Sequence, residues 1–341
     1  MLDHMRLFLI PLLLCAVPLC KADRNAEIRS AIEKSLPLLN AAALGSAEHR
    51  KCFTCHGQGL PVLVFLEAEK RGFAIDHENL QRQVNHTVAH LTRGKENYLK
   101  GKGQGGKADM AGSALWAIEE AGYPENEITE AVVDFLIQWN KDSPHWTASA
   151  IRPPAEGSKF TSTFLALRGL QAYGTDNFRP AIEKRKDAAR NWLINTTAVT
   201  TEDFVFRLRA LNLVEADKAI LEQAGKDLIK LQRDDGGWGQ LTDLESDAYA
   251  TGSVLATLFD SKVSGIKSEN YQRGIQFLLK TQLADGSWYI ETRASPIQKY
   301  YESGFPHGED QFISSTGTAW AILALLKALP MLPIKHVIGE E

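Results

Sequence analysis

The sequence predicts an all-α protein, an α/α toroid of about six helical hairpins closed into one ring. Three observations lead there. Apolar residues recur at helical spacing in segment after segment, and the alternation expected of strands is almost absent. The helical segments fall into pairs whose second member is the more apolar and the richer in small residues. A short motif also returns in the same frame, Gln232, Gly236 and Trp238 reappearing as Gln282, Gly286 and Trp288 a full 50 residues later. A period of that length with one helix pair per unit is the mark of a helical repeat array.

Residues 1–22 read as a signal peptide. Arg6 precedes an apolar run from Leu7 to Leu19, too short to span a bilayer and of the length of a signal core, and Cys20-Lys21-Ala22 ends it with small residues suited to cleavage. Export to the periplasm with cleavage near Ala22 is therefore expected, with residues 23–334 forming a single toroid domain and 335–341 a C-terminal tail. No later segment is long and apolar enough to cross a membrane.

Helices are expected near 25–44, 58–71, 77–93, 108–122, 126–140, 158–173, 179–194, 202–213, 216–232, 247–259, 268–281 and 314–329, divided by Gly, Pro, Asn and Asp. The even-numbered ones carry the apolar stretches "GLPVLVFLEAEKRG", "MAGSALWAIEEAG", "TSTFLALRGLQAYG", "DAYATGSVLATLF" and "STGTAWAILALLKAL", and belong inside. The more charged "AIEKRKDAARNWL" typifies the amphipathic helices of the outside. With 38 basic and 42 acidic residues, the chain has neither the excess nor the patches that nucleic acid or an anionic membrane would require.

The two Gln-x-x-x-Gly-x-Trp motifs, each just after an outer helix, resemble the repeat motif of the squalene-hopene cyclase and protein prenyltransferase superfamily. A degenerate copy, "QWNKDSPHW", sets Gln138 ahead of Trp146. The likeness covers most of residues 107–329 and is strongest to bacterial squalene-cyclase-like proteins of unassigned activity, in "RPPAEGSKFTSTFLALRGL", "SDAYATGSVLATL" and "YYESGFPHGEDQFIS". It implies that the glutamine and tryptophan clamp neighbouring outer helices and touch no chemistry, and that a C-x-x-C-H stands near the front. The family's reactive groups are missing. The cyclases protonate an isoprenoid with an Asp-x-Asp-Asp cluster, and here Asp234 and Asp235 lie inside the structural motif while Asp243 and Asp247 are too far apart. The prenyltransferases hold zinc with Asp, Cys and His in later repeats, and no cysteine follows Cys55.

That leaves "KCFTCHGQGLP". Once the leader is removed, Cys52 and Cys55 are the remaining cysteines, and His56 follows directly. Two thiols two residues apart with a histidine behind the second are what covalent attachment of haem c requires, the thiols taking the vinyl groups and the imidazole the iron. Zinc wants four ligands, with only His86 or His90 to borrow. A thioredoxin-type disulfide expects a β-α-β unit, and a bare disulfide would close too small a loop to stabilise much. Met110, opening the next inner helix, is the first candidate for the distal iron ligand, with His86 and His90 as alternatives; the plainer roles are packing for Met110 and a solvated place on the outer face for the two histidines.

"GKGQGGK" matches G-x-G-x-x-G only formally, because it follows a helix rather than a strand. It reads as a flexible basic loop whose Lys102 or Lys107 could pair with haem propionates. The loop "YESGFPHGEDQFISS" concentrates Glu302, His307, Glu309 and Asp310, with Ser314 or Ser315 as an N-cap for the last helix. Two functions follow. One is a periplasmic c-type haem protein on a toroid, carrying electrons to a redox partner or doing redox chemistry near an apolar cavity. The other is a haem-free toroid that binds an isoprenoid-like lipid or a protein partner, without cyclase activity.

Overall fold

A computed structural model describes residues 16–296 and 299–332, with side chains from Arg24 onward. The first fifteen residues of the expected signal and the expected tail at 335–341 lie outside the described residues. Six hairpins follow one another: α1 (Ala16–His49) with α2 (Leu60–Glu69), α3 (His77–Leu99) with α4 (Lys107–Glu120), α5 (Glu127–Gln138) with α6 (Lys159–Tyr173), α7 (Arg179–Asn195) with α8 (Thr201–Leu213), α9 (Lys218–Ile229) with α10 (Ala248–Asp260), and α11 (Glu269–Thr281) with α12 (Gln311–Ala328). A two-residue ribbon, β1 (Trp238–Gly239) against β2 (Ser246–Asp247), is the only sheet among the described residues.

Side-chain caps set half of the helix starts. Asp76 accepts from the Asn79 amide at the head of α3, and Asn126 with Thr129 forms a reciprocal capping box before α5. Thr200 with Asp203 does the same before α8, and Ser158, Asp247 and Ser268 cap α6, α10 and α11. The last helix departs from expectation. It begins at Gln311, so Ser314 and Ser315 lie inside it rather than at its cap. Ser314 instead exchanges hydrogen bonds with the backbone of Ile290 (2.9 and 3.1 Å).

The even-numbered helices form the inner ring. Each packs on the next, from α2 through α4, α6, α8 and α10 to α12, and α12 returns to α2 and α1. α10 is buried from Ala248 to Leu258, as a helix surrounded on all sides must be. Small residues permit the closeness, since a Cβ on Gly252 would stand 2.5 Å from the backbone of Trp320 and Ala321. All inner helices are entered from the same end of the ring, through connections that are long at 139–158 and 282–310. The connections at the other end, such as 121–126 and 214–217, are short.

The tryptophan motifs hold the outside. Trp146, Trp238 and Trp288 are fully or almost fully buried. Each indole N–H donates to the carbonyl ten residues earlier, on Leu136, Leu228 and Leu278 (2.7, 2.9 and 3.0 Å). Each backbone N–H donates to a threonine of the following inner helix, Thr163, Thr251 and Thr318. Gln232 exchanges hydrogen bonds with Asn270 at the head of the next outer helix. Gln282 donates to the Ala31 carbonyl (2.8 Å) and Ser35 Oγ (2.9 Å), joining the end of α11 to α1. Gly286 admits this closure, for any side chain at its φ of +93° would press on the Lys34 backbone at 2.7 Å. The degenerate copy uses a different clamp. Gln138 is exposed, and Arg185 from α7 lies 3.8 Å over the Trp146 ring while donating to the carbonyls of Trp139, Asn140 and Ser143.

Candidate functional site

The chain leaves α1 at His49, crosses to Thr54 and enters a single π-helical turn, Cys55–Gly59, ahead of α2. Buried Gln58 fixes this turn by accepting from the Thr54 amide (2.9 Å) and donating to Gln83 of α3 (2.9 Å). Cys52 and Cys55 are unpaired thiols, both partly covered. Cys55 lies beside Ser113 of α4, and burial pushes its thiol up to about 12. His56 presents its ring edge-on to Phe312 of α12 at 5.3 Å. Burial, helped by the charge of Arg152, pulls this imidazole down to about 4, so it is neutral at physiological pH.

The structure sends Met110 to another neighbour. Its sulfur lies 3.1 Å from His90 Nε2 and 4.0 Å from the Tyr98 hydroxyl, both on α3, whereas His56 turns to α12. His90 is therefore a buried partner of Met110 and not the solvated outer-face residue its helix position suggests. Half-buried His86 places its Nε2 3.4 Å from the Cys52 carbonyl. No group of three or more His, Cys, Asp and Glu side chains suited to a metal ion occurs among the described residues. In the glycine-rich loop, Lys107 lies over the Trp139 ring at 5.4 Å and donates to the Lys102 carbonyl. The polar loop at 302–310 is organised around buried Gln311, which accepts from the Ser303 amide and hydroxyl (2.7 and 2.6 Å) and donates to the Tyr300 hydroxyl and the Gly308 carbonyl. His307 meets Ser287 at 2.8 Å, and Asp310 accepts from the Thr292 amide and the Tyr289 hydroxyl.

The sequence reading missed the residues next to Cys55. Asp109, in the first turn of α4, is 4 % exposed, and neither carboxylate oxygen has a hydrogen-bond partner. Burial raises it to about 8, with Glu156 adding repulsion. Ser162 stands beside it, but directs its hydroxyl to the Ser158 carbonyl (3.3 Å). Glu202, in the first turn of α8, is also raised by burial to about 8, and accepts from Thr161 (2.8 Å) and Tyr249 (3.0 Å). Asp247, the cap of α10, rises to about 6 for the same reason. These acids, Cys55 and His56 all sit where the inner helices begin. The positive ends of the inner-helix dipoles lie at this end of the ring.

Along the ring axis this polar end gives way to aromatic rings. Trp116 meets Phe164 edge-on at 5.5 Å, and Phe164 leads to Phe206 (5.4 Å) and Phe206 to Trp320 (6.4 Å). Ions close the far end, Arg209 pairing with Asp260 (3.3 Å), Lys327 with Asp260 (3.2 Å) and Glu67 (2.7 Å), and Arg71 with Glu67 (2.9 Å). Lys327 stands in the last turn of α12 and Arg71 just past the end of α2, where the dipole favours a cation. Chemically, the polar end offers carboxyl groups in the acid form, a neutral imidazole and two free thiols above an apolar, aromatic middle.

Residues 190–308 match the Squalene-hopene cyclase C-terminal domain family. Lanosterol synthase erg7A of Aspergillus fumigatus is 30 % identical over 133 residues, which are 39 % of this chain and 17 % of that enzyme, so the chain spans less than a fifth of that relative's length. Among solved structures, the type II terpene cyclase MstE from Scytonema superposes with a TM-score of 0.58 at 14 % identity, over 90 % of this chain and 99 % of that one. A variant of it in complex with the substrate geranylgeranyl dihydroxybenzoate gives 0.59 at 15 %, over 91 % and 99 %. A possible member of the GH105 family from Salmonella enterica gives 0.54 at 13 %, over 89 % and 93 %. At such identities the structural likeness concerns the fold, and the fold is squalene-cyclase-like.

Proposed function

We propose that the protein binds an apolar, isoprenoid-like ligand within its inner helices. One observation carries the reading. Cys55, His56, Ser113, Trp116 and Phe312 each keep part of their surface open, although they belong to inner elements and the first two lie in the depth of the molecule. Open surface at that depth faces an enclosed space, and the rings of Trp116 and Phe312 make its wall apolar. The prenylated substrate carried by a protein of the same fold lends support. The test is titration of the purified protein with geranylgeraniol, followed by calorimetry and by native mass spectrometry. Saturable one-to-one binding is expected, weakened when Trp116 and Phe312 are replaced by alanine. Absence of saturable binding defeats the reading.

A second reading, covalent haem c on Cys52 and Cys55 with His56 below the iron, is favoured by one feature. Both thiols are free and the imidazole is neutral, the states that attachment and ligation need. Bound there, haem would supply redox chemistry, while this chain's residues would hold and orient it. Met110, engaged with His90, is not offered to the same space. The intact mass of protein made alongside a haem-attachment system separates the two readings, since covalent haem adds its own mass. Export belongs to the same proposal, and N-terminal sequencing of the secreted form tests the expected cleavage near Ala22.

A further inference from the structure

The polar end of the inner ring is acidic, and one of the two arginines that act on it is already paired with an acid. Arg152 pairs with Glu156 at 3.5 Å, and Arg293 donates to the Gln240 side chain at 2.8 Å. Of the buried acids there, Glu202 has two hydrogen-bond donors and Asp247 caps a helix, but Asp109 has only Ser162 beside it, whose hydroxyl is directed to the Ser158 carbonyl. Trp116 Nε1, about two turns further along α4, and Ser315 Oγ, in the first half of α12, are likewise buried without partners. Native interiors rarely leave such groups unmatched, and an unmatched acid at the polar end above the aromatic middle of the ring indicates a missing partner.

We propose that the ligand's head is a neutral oxygen, that of an alcohol, aldehyde or ketone, which accepts a hydrogen bond from the Asp109 carboxyl, and that the site rejects chains ending in phosphate or diphosphate. This rests on the binding reading above and adds the head group to it. Burial keeps Asp109 in its acid form near neutral pH, so it carries an O–H to donate and no charge that would need a cation. Cys55 on the π-turn, Glu156 on the loop after α5, Ser162 on α6 and Glu202 on α8 are the titratable and polar groups around it, and none brings positive charge. A diphosphate would set further negative charge among these carboxyls, out of water, where Arg152 is already paired with Glu156 and Arg293 acts on Asp247 rather than on Asp109. A neutral oxygen satisfies the orphaned donor without that cost.

The test is equilibrium binding of four C20 isoprenoid chains that differ only in their ends: the alcohol, the hydrocarbon, the amine and the diphosphate. The alcohol should bind about tenfold more tightly than the hydrocarbon, the worth of one net hydrogen bond, with the diphosphate weakest. Asp109→Leu should abolish the preference for the alcohol and leave hydrocarbon affinity unchanged, while Asp109→Asn, which keeps an N–H donor, should retain it. Should the leucine variant not fold, the head-group order of the wild-type protein still decides. Tighter binding of the diphosphate or the amine than of the alcohol, or an undiminished preference in Asp109→Leu, overturns the proposal. Binding without regard to the head group overturns this inference alone, whereas no binding of any of the four chains overturns the binding reading beneath it.

Discussion

Asp109→Asn should make the protein more stable near neutral pH, and the gain should depend on pH in a stated direction. The carboxyl is buried, lacks partners on both oxygens, and has its folded value raised from 3.8 to about 8. A carboxyl raised on folding means that the folded state holds the proton more tightly than the unfolded state. Stability from this group is therefore greatest below the unfolded value, falls as pH climbs between the two values, and levels off once pH passes the folded one. At about 1.4 kcal/mol per unit, the three units between the unfolded value and neutrality amount to roughly 4 kcal/mol as an upper bound. The asparagine has no proton to lose, so that slope disappears. Urea melts should show the variant about 2–4 kcal/mol more stable near pH 7 and nearly equal to wild type near pH 4. Glu202, raised by burial and to a lesser degree by Asp109, adds a similar slope to both proteins, so the difference between them is the quantity to read. Equal slopes for variant and wild type between those pH values, or a variant less stable at neutrality, would refute the reasoning. Either result would mean that Asp109 has a partner or reaches water.

Other consequences are simpler. Trp238→Ala and Trp288→Ala should each cost about 3–5 kcal/mol in chemical denaturation, because the rings are buried and their N–H groups matched; a loss under 1 kcal/mol would mean the sites collapse freely. Gln282→Ala should cost about 1–3 kcal/mol, as it strips donors from the Ala31 carbonyl and Ser35, and hydrogen exchange should quicken in α1 and α11 before it does elsewhere. Arg185→Gln should destabilise by a similar amount in the same melts, as it strips donors from the carbonyls of Trp139, Asn140 and Ser143. In native protein Cys55 should resist alkylation at neutral pH until the chain is unfolded, since burial holds its thiol far above that pH; intact-mass counting of rapid modification at Cys55 would contradict this.

Helix positions were readable because their signals are local. Periodicity marked the bodies, and the Gly, Pro, Asn and Asp between them marked the breaks, whereas the one cap expected, Ser314 or Ser315, falls inside α12. The ring was readable from Gln232/Trp238 and Gln282/Trp288, since a motif that repeats implies a partner that repeats. What escaped depended on contacts distant in sequence. Arg185 replaces a glutamine from 45 residues beyond the Asn140 carbonyl it holds, and no spacing rule leads to it. Asp109 and Glu202 each occupy the first turn of a helix, where an acid normally needs no explanation beyond the dipole. Only the packing of α4 and α8 inside the ring makes these acids unusual. Met110 was singled out for its sulfur, one residue from the group that the fold leaves unmatched, because the sequence does not say which side of α4 faces the centre.

The bond from Gln282 to Ala31 joins positions 251 residues apart. A nascent chain can stack its first hairpins as they emerge, but α1 keeps a bare flank until nearly the whole polypeptide has been made. Until then the growing stack has two sticky ends, and the same surfaces that will meet each other could meet those of a second chain instead. Completion is therefore abrupt, arriving with the last hairpin. Loss of α12 would not shorten the protein by one unit so much as leave it an open spiral, prone to exchange hairpins with its neighbours.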